Sequence, residues 1–372
     1  MRRIAAALAG LLAAGVIAAA AHAAPPTDPT ALAVVTAAHV GHPPKPKPPP
    51  APPNPLASLK LGVYQGNDEQ AWAPYARSRG ENRKLLAKIA LRQKAKWYGA
   101  WVSNGAIEGK VRAYVEGSTH GRSDTFALMA LFRVVPWEGA ACHRVSSGGE
   151  QASYRQWIDN VARGIGSSHV VVILQPDGPF VTCAPHHSAV PSQLIAYASR
   201  KLSALPHTYV YIDGGASDWP WSRSEAASFL IADGVRYARG IALNSTHYGA
   251  TGDEVQAGAE IVQELARRGI KDKHVVVNTS SNGRPVVFGQ APGKDHDNAT
   301  VCASRSSQRC VTLGIPPTTD VANARWPLTA RQRTMARDYV DAYLWFGRPW
   351  LYRQADPFDY GRALQLARTT PY

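Results

Sequence analysis

Aspartate, asparagine and tryptophan recur at the ends of short apolar runs in this chain of 372 residues. Val170–Leu174 runs into Gln175-Pro176-Asp177. Tyr209–Ile212 ends at Asp213, followed by Gly214-Gly215 and Trp219-Pro220-Trp221. Gly240–Leu243 ends at Asn244, and Val275–Val277 at Asn278, with Ser280, Ser281 and Asn282 behind it. Asp and Asn also cap helices that follow strands, so any one of these residues alone is equally well a cap. Together, and flanked by tryptophan, they read as a site. Carboxyl groups protonate or activate oxygens, and indole rings stack on the apolar face of a pyranose, so the chemistry is that of sugar cleavage.

Such a ring of residues needs strands that all end on one side. Strand-like runs lie at 59–64, 96–102, 126–135, 169–174, 209–213, 240–244, 274–279 and 342–346. Val170-Val171-Val172-Ile173-Leu174 has no polar alternation, as expected of a strand buried on both faces. Helical patterns alternate with the strands at 83–91, 150–164, 191–205, 224–239, 254–268 and 329–342, with Ser222 as an N-cap. Alternating β and α units predict a parallel sheet, and this many strands predict a barrel with its working residues at the strand C-termini.

The flanks and composition set the compartment. Arg2 and Arg3, the apolar run Ile4–Ala20 and Ala21-His22-Ala23 predict a signal peptide over 1–23 and hence export. Residues 24–55, with Pro43-Pro44-Lys45-Pro46-Lys47-Pro48-Pro49-Pro50, predict a semi-rigid linker without a core. Residues 56–372 form the predicted catalytic domain. No later run is apolar enough to span a bilayer, so no stable membrane insertion is expected after cleavage. The net charge is +14, of which +11 falls beyond Leu56. No basic run with interleaved aromatics accompanies it, which argues against nucleic acid. No cofactor or metal is expected, since His186-His187 reads as a surface loop. There is also no G-x-S-x-G elbow for an esterase. A monomer is expected.

Cys142, Cys183, Cys302 and Cys310 make an even count without C-x-x-C spacing, which suggests two disulfides. Cys302 and Cys310 are close enough to shut one loop, leaving Cys142 for Cys183, though the count alone permits other pairings.

From Asn54 to the C-terminus the chain resembles glycoside hydrolase family 6, the cellobiohydrolases and endoglucanases that cut β-1,4-glucan. The resemblance rests on Tyr209-Val-Tyr-Ile-Asp-Gly-Gly-Ala-Ser-Asp-Trp219, Gly240-Ile-Ala-Leu-Asn244, Asn278-Thr-Ser-Ser-Asn-Gly283, Val171-Val-Ile-Leu-Gln-Pro-Asp177 and Asp341-Ala-Tyr-Leu-Trp345, with Asn54-Pro55 and Trp97 at the opening. It implies a distorted (β/α) barrel of about seven parallel strands and an inverting mechanism on β-glucan polysaccharide or oligosaccharide. Asp177 would be the general acid and Asp213 the second aspartate. Trp219 would stack a sugar just beyond the cut bond, Trp97 one on the other side, and Asn244 would bind a sugar hydroxyl. Pairing of Cys142 with Cys183 is implied as well.

Several family positions differ. Ala140 and Ala141 replace arginine-aspartate before Cys142, leaving Glu138 as the nearby carboxylate. Ser281 replaces an arginine, and Ala216 a histidine. The late loop that carries the proposed base reads Gly347-Arg-Pro-Trp-Leu-Tyr-Arg-Gln-Ala-Asp356, so Asp356 or a water chain to Asp213 must take the proton. Losing arginines and aspartates together avoids unpaired charge. The alternative expectation is a non-catalytic or weakly active polysaccharide-binding protein on the same fold.

Overall fold

A computed structural model describes residues 54–220, 222–290, 293 and 295–372. The predicted signal peptide and nearly all of the predicted linker lie outside these residues.

Eight strands form the main sheet: β1 (Lys60–Leu61), β2 (Lys96–Gly99), β3 (Thr125–Phe132), β4 (Val170–Leu174), β5 (Thr208–Asp213), β6 (Gly240–Leu243), β7 (His274–Asn278) and β8 (Val340–Leu344). All pairs are parallel, in the order β3-β4-β5-β6-β7-β8. β1 and β2 share one edge of β3 end to end: Lys60 pairs with Thr125, and Lys96 with Met129. Eight strands therefore occupy seven positions, which reconciles the eight runs in the sequence with a barrel of about seven strands. The edges β8 and β2 are not laddered. They are bridged by the Ala95 amide to the Trp345 carbonyl at 2.8 Å and by the Trp97 indole to the Phe346 carbonyl at 2.7 Å.

Side-chain alternation divides the core. Phe126, Leu128, Ala130, Val171, Ile173, Tyr211, Ala242, Val276, Ala342 and Leu344 fill the barrel interior. Ala127, Met129, Leu131, Val170, Val172, Leu174, Val210, Ile212, Ile241, Leu243, Val275 and Val277 face the surrounding helices. Each large apolar side chain so buried contributes about 1.5–3 kcal/mol. The helices are α1 (Trp72–Arg77), α2 (Gly80–Ala90), α3 (Asn104–Thr119), α4 (Gly148–Ile165), α5 (Val190–Ser203), α6 (Arg223–Ala232), α7 (Thr251–Arg267), α8 (Ala330–Tyr339) and α9 (Tyr360–Thr369). Sequence periodicity missed α1, α3 and α9. The helix expected over 224–239 stops at Ala232, because Gly234 turns left-handed at φ +80° where its backbone packs on Ala196. The helix expected to reach Ala342 ends at Tyr339, and Ala342 belongs to β8.

Beyond β8 the chain makes a two-stranded antiparallel hairpin, β9 (Leu351–Tyr352) and β10 (Ala355–Phe358). Its turn residues Arg353 and Gln354 have positive φ, and the turn is anchored from outside. Arg353 Nε lies 2.7 Å from Asp295 Oδ2, and Gln354 Nε2 donates to the Thr246 carbonyl at 3.2 Å. On β10, Asp356 Oδ1 accepts from Gln70 Nε2 at 3.1 Å. Among the described residues no helix is long and apolar enough to cross a membrane.

Candidate active site

The strand C-termini open into one cleft of about 1350 Å³. Asp177 lines it just past β4, in the left-handed conformation at φ 62°, at the start of the 3-10 turn Gly178–Cys183. That turn is held from two sides. The buried Gln175 side chain accepts from the amides of Arg133 and Val134 at 3.2 and 3.1 Å, and the Trp137 indole donates to the Pro176 carbonyl at 3.0 Å. Cys142–Cys183 ties it to the 3-10 turn Glu138–Cys142, and Cys302–Cys310 closes the second, short loop.

Thr246 Oγ1 donates to Asp177 Oδ1 at 2.7 Å. The Asp177 carboxyl is pushed up to about 7, first by burial and then by the neighbouring Asp213 charge; the Thr246 hydrogen bond opposes this, and Glu138 adds a smaller upward push. Asp213, at the end of β5, is completely buried. Its Oδ1 accepts from the amides of Gly178 at 3.0 Å and Gly215 at 2.9 Å, and its Oδ2 from the Ser245 hydroxyl. Burial pushes Asp213 up to about 7 as well, against those hydrogen bonds. Three donors favour the charged form at Asp213, and only one does so at Asp177. The geometry therefore leaves the proton on Asp177 and the charge on Asp213.

The remaining expected site residues divide. Glu138 and Asp356 are exposed and line the cleft. Although its surface is exposed, partial desolvation within the cleft raises Glu138, with help from the charge of Asp297, which lines the same cleft. Asp213 does not line the cleft, and its charge is felt by Asp177. Asn244 was expected to bind sugar, but it is fully buried. Its Nδ2 donates to the Asn278 carbonyl at 3.0 Å, its Oδ1 accepts from the Gly249 amide at 3.0 Å, and Asn278 Nδ2 returns a bond to the Asn244 carbonyl at 2.8 Å. Asn278 Oδ1 also holds the amides of Phe346 and Gly347, each at 3.0 Å. These two amides knit strand ends together. Trp97 lines the cleft wall but is only 8% exposed, and the Arg348 guanidinium sits 4.0 Å over its ring, occupying a face expected to be open to sugar.

Trp219 is half-buried in the cleft wall, edge-on to Phe180 at 5.1 Å between centroids. Beside it lie residues that the sequence did not single out. His247 is nearly parallel to Trp219, with an interplanar angle of 4°, and stacks on Phe288 at 4.2 Å. His247 Nδ1 lies 2.7 Å from Asp218 Oδ1, and Asp218 Oδ2 accepts the Phe288 amide at 2.8 Å. Trp101 is 61% exposed and also lines the cleft. Asp218 adjoins Trp219, and His247 is three residues past Asn244; proximity to those positions was the available signal. Among the described residues no group of three or more His, Cys, Asp or Glu could hold a metal ion.

A parallel barrel whose strand ends carry a carboxyl pushed up to about 7 in a tryptophan-lined cleft is the frame of a polysaccharide-cleaving enzyme class. The chain belongs to glycosyl hydrolases family 6, whose model matches residues 62–349. It is 31% identical over 225 residues to "Endoglucanase A" of Cellulomonas fimi, covering 60% of this chain and 47% of that protein. It is 29% identical over 235 residues to "Endoglucanase 1" of Streptomyces halstedii, covering 61% and 70%. The match thus spans about half the length of the Cellulomonas relative. The solved endoglucanase Cel6 of Mycobacterium tuberculosis, in complex with a thio-linked cellobioside, superposes with a TM-score of 0.67 at 26% identity, covering 85% of this chain and 99% of that one.

Proposed function

We propose that this protein is an exported glucanase that hydrolyses β-1,4-glucosidic bonds in cellulose or a related β-glucan with inversion. The observation that carries this reading is the environment of Asp177: a carboxyl in the cleft, pushed up to about 7 and beside a buried carboxylate with three donors. Such a group still holds a proton near neutral pH and can give it to the leaving glycosidic oxygen. Asp213 keeps it protonated through like charge. Trp219 supports the sugar just beyond the cut bond. Inversion also needs a proton acceptor for water on the far face of the ring, about 6.5–9.5 Å from the acid. Asp356 fills that role in this reading, because it lines the cleft whereas Asp213 does not.

The test is incubation of the exported protein with cellopentaose and with soluble mixed-linkage glucan, following chain length and the anomer first formed by proton NMR. Shortened chains with new α-anomeric ends are expected. Intact chains, or β-anomers formed first, overturn the proposal.

A further inference from the structure

No step of the reaction just described uses the His247–Asp218 pair, yet it is built into the same cleft, near enough for a charge on His247 to oppose the upward push on Asp177. Asp218 is held below the usual carboxylate range: burial pushes it up, but the His247 hydrogen bond and charge and the Phe288 amide more than offset that. An ionised carboxylate only accepts, so the hydrogen on His247 Nδ1 must point to Asp218. Nε2 is then the one ring nitrogen left to the cleft, with a lone pair on the neutral ring and an N–H on the charged one. Among the described residues Nε2 has no hydrogen-bond partner, and the His247 side chain keeps 10% of its surface exposed.

The ring itself cannot turn easily. It is parallel to Trp219 within 4°, at 5.5 Å between centroids, and stacks on Phe288 with centroids 4.2 Å apart. His247 also lines the cleft, and these stacked neighbours leave it the imidazole edge. The preceding residue is Thr246, which holds Asp177. Trp97 and Arg348 lie at the β2 and β8 edge of the barrel, whereas Trp219 and His247 follow β5 and β6 on the other side of Asp177. A fixed aromatic wall with one polar atom on its rim, next to the acid, has the form of a sugar subsite: the ring stacks and the nitrogen reads a hydroxyl.

We infer that His247, oriented by Asp218, is a specificity-determining residue that makes a hydrogen bond at Nε2 with a hydroxyl of the sugar on the Trp219 side of the cut bond. This rests on the glucanase reading for which side carries the leaving sugar. The contact is made only when a sugar occupies that side. A substrate whose leaving group is not a sugar does not use it, whereas a residue that activates water serves every substrate.

His247→Ala, His247→Gln and Asp218→Asn would be compared with the unaltered chain on cellopentaose and on 2,4-dinitrophenyl β-cellobioside, with melting temperature monitored. For His247→Ala a fall of about 10–100-fold in kcat/KM on cellopentaose is expected, with less than about twofold change on the aryl substrate. His247→Gln, which keeps a polar end, should recover part of the loss and covers the case in which the alanine variant does not fold. Asp218→Asn should lose less than His247→Ala. An equal loss on both substrates makes His247 the proton acceptor and overturns the inference, as does an unchanged cellopentaose rate. If the unaltered chain cleaves neither substrate, the glucanase reading fails; if in addition His247→Ala binds cellopentaose as tightly as the unaltered chain by calorimetry, this inference fails with it.

Discussion

The hydroxyl of Thr246 donates to Asp177 at 2.7 Å, while the carbonyl of the same residue accepts from Gln354 at the tip of the β9–β10 hairpin. The acid is thus connected through one residue of the β6 loop to a hairpin more than a hundred positions further along the chain. That bond favours the charged carboxyl, so it sets the alkaline limit of the acid. Thr246→Val should raise the Asp177 pKa and move the alkaline limb of the kcat/KM profile on cellopentaose upward by up to about one unit. An unmoved limb would mean that the acid titrates independently of Thr246.

Asp177→Asn should abolish cleavage of cellopentaose while leaving its binding within about threefold, and should be milder on dinitrophenyl glycosides, whose leaving group needs little protonation. In the unaltered chain, activity on cellopentaose should fall about tenfold per pH unit above about 7, where Asp177 loses its proton. Cleavage of cellopentaose by Asp177→Asn at the original rate would remove Asp177 from the mechanism.

Two carboxyls outside the reaction should make folding stability depend on pH. Burial pushes Asp233 from 3.8 up to about 7, and Glu254 from 4.5 up to about 8. The folded chain then holds protons that the unfolded chain has released, so stability falls as pH rises from about 4 to about 8 and levels off above. The Asp233 carboxyl is buried, and the Ser192 hydroxyl offsets that burial only in part. Asp233→Asn should therefore flatten this slope and raise the melting temperature at pH 8 by several degrees. Glu254 accepts from the amide and hydroxyl of Ser217 at 2.8 and 2.7 Å, so Glu254→Gln keeps part of its role and should change less.

The tryptophans should separate by thermal denaturation and binding. Trp97→Ala should cost about 3–5 kcal/mol, since it removes a buried ring and the bridge to Phe346. Trp101→Ala should leave the melting temperature within a degree or two, since its ring is 61% exposed. Equal melting shifts would show that burial does not distinguish the two.

Cys142–Cys183 spans 41 positions and joins the turn bearing Glu138 to the turn begun by Asp177. Replacing both cysteines by serine should destabilise by about 3–4 kcal/mol. It should also lower kcat more than it raises KM, because the acid's turn loses its outer support. Peptide mapping that finds Cys142 joined to Cys302, or free thiols, removes the basis of both expectations.

The sheet was largely legible, and the site only in part. Unbroken apolar runs such as Val170–Leu174 mark interior strands because both faces are buried. Lys60–Leu61 is different: two residues form β1, and only their pairing with Thr125 and Phe126 makes them a strand. The polar residues at strand ends mixed two roles that composition cannot separate. Asp177 faces the cleft, while Asn244 and Asn278 satisfy backbone groups where the strands stop. His247 and Asp218 escaped notice because a histidine in a loop and an aspartate beside a tryptophan have no spacing of their own. Their 2.7 Å contact forms only when the β5 and β6 loops meet. Trp97 was legible as a tryptophan near the opening, but Arg348 over its ring comes from the far end of the chain.

Gly178 has no room for a side chain: a Cβ there would collide with the backbone carbonyl of Asp213, whose carboxylate accepts the Gly178 amide. The turn that starts at the acid is therefore seated directly on the neighbouring strand. For anyone redesigning the cleft toward another polysaccharide, positions 177, 178 and 213 behave as one machined part. The walls at Trp101, Phe288 and the hairpin tip can be exchanged separately around it, but moving the acid means moving the strand beside it.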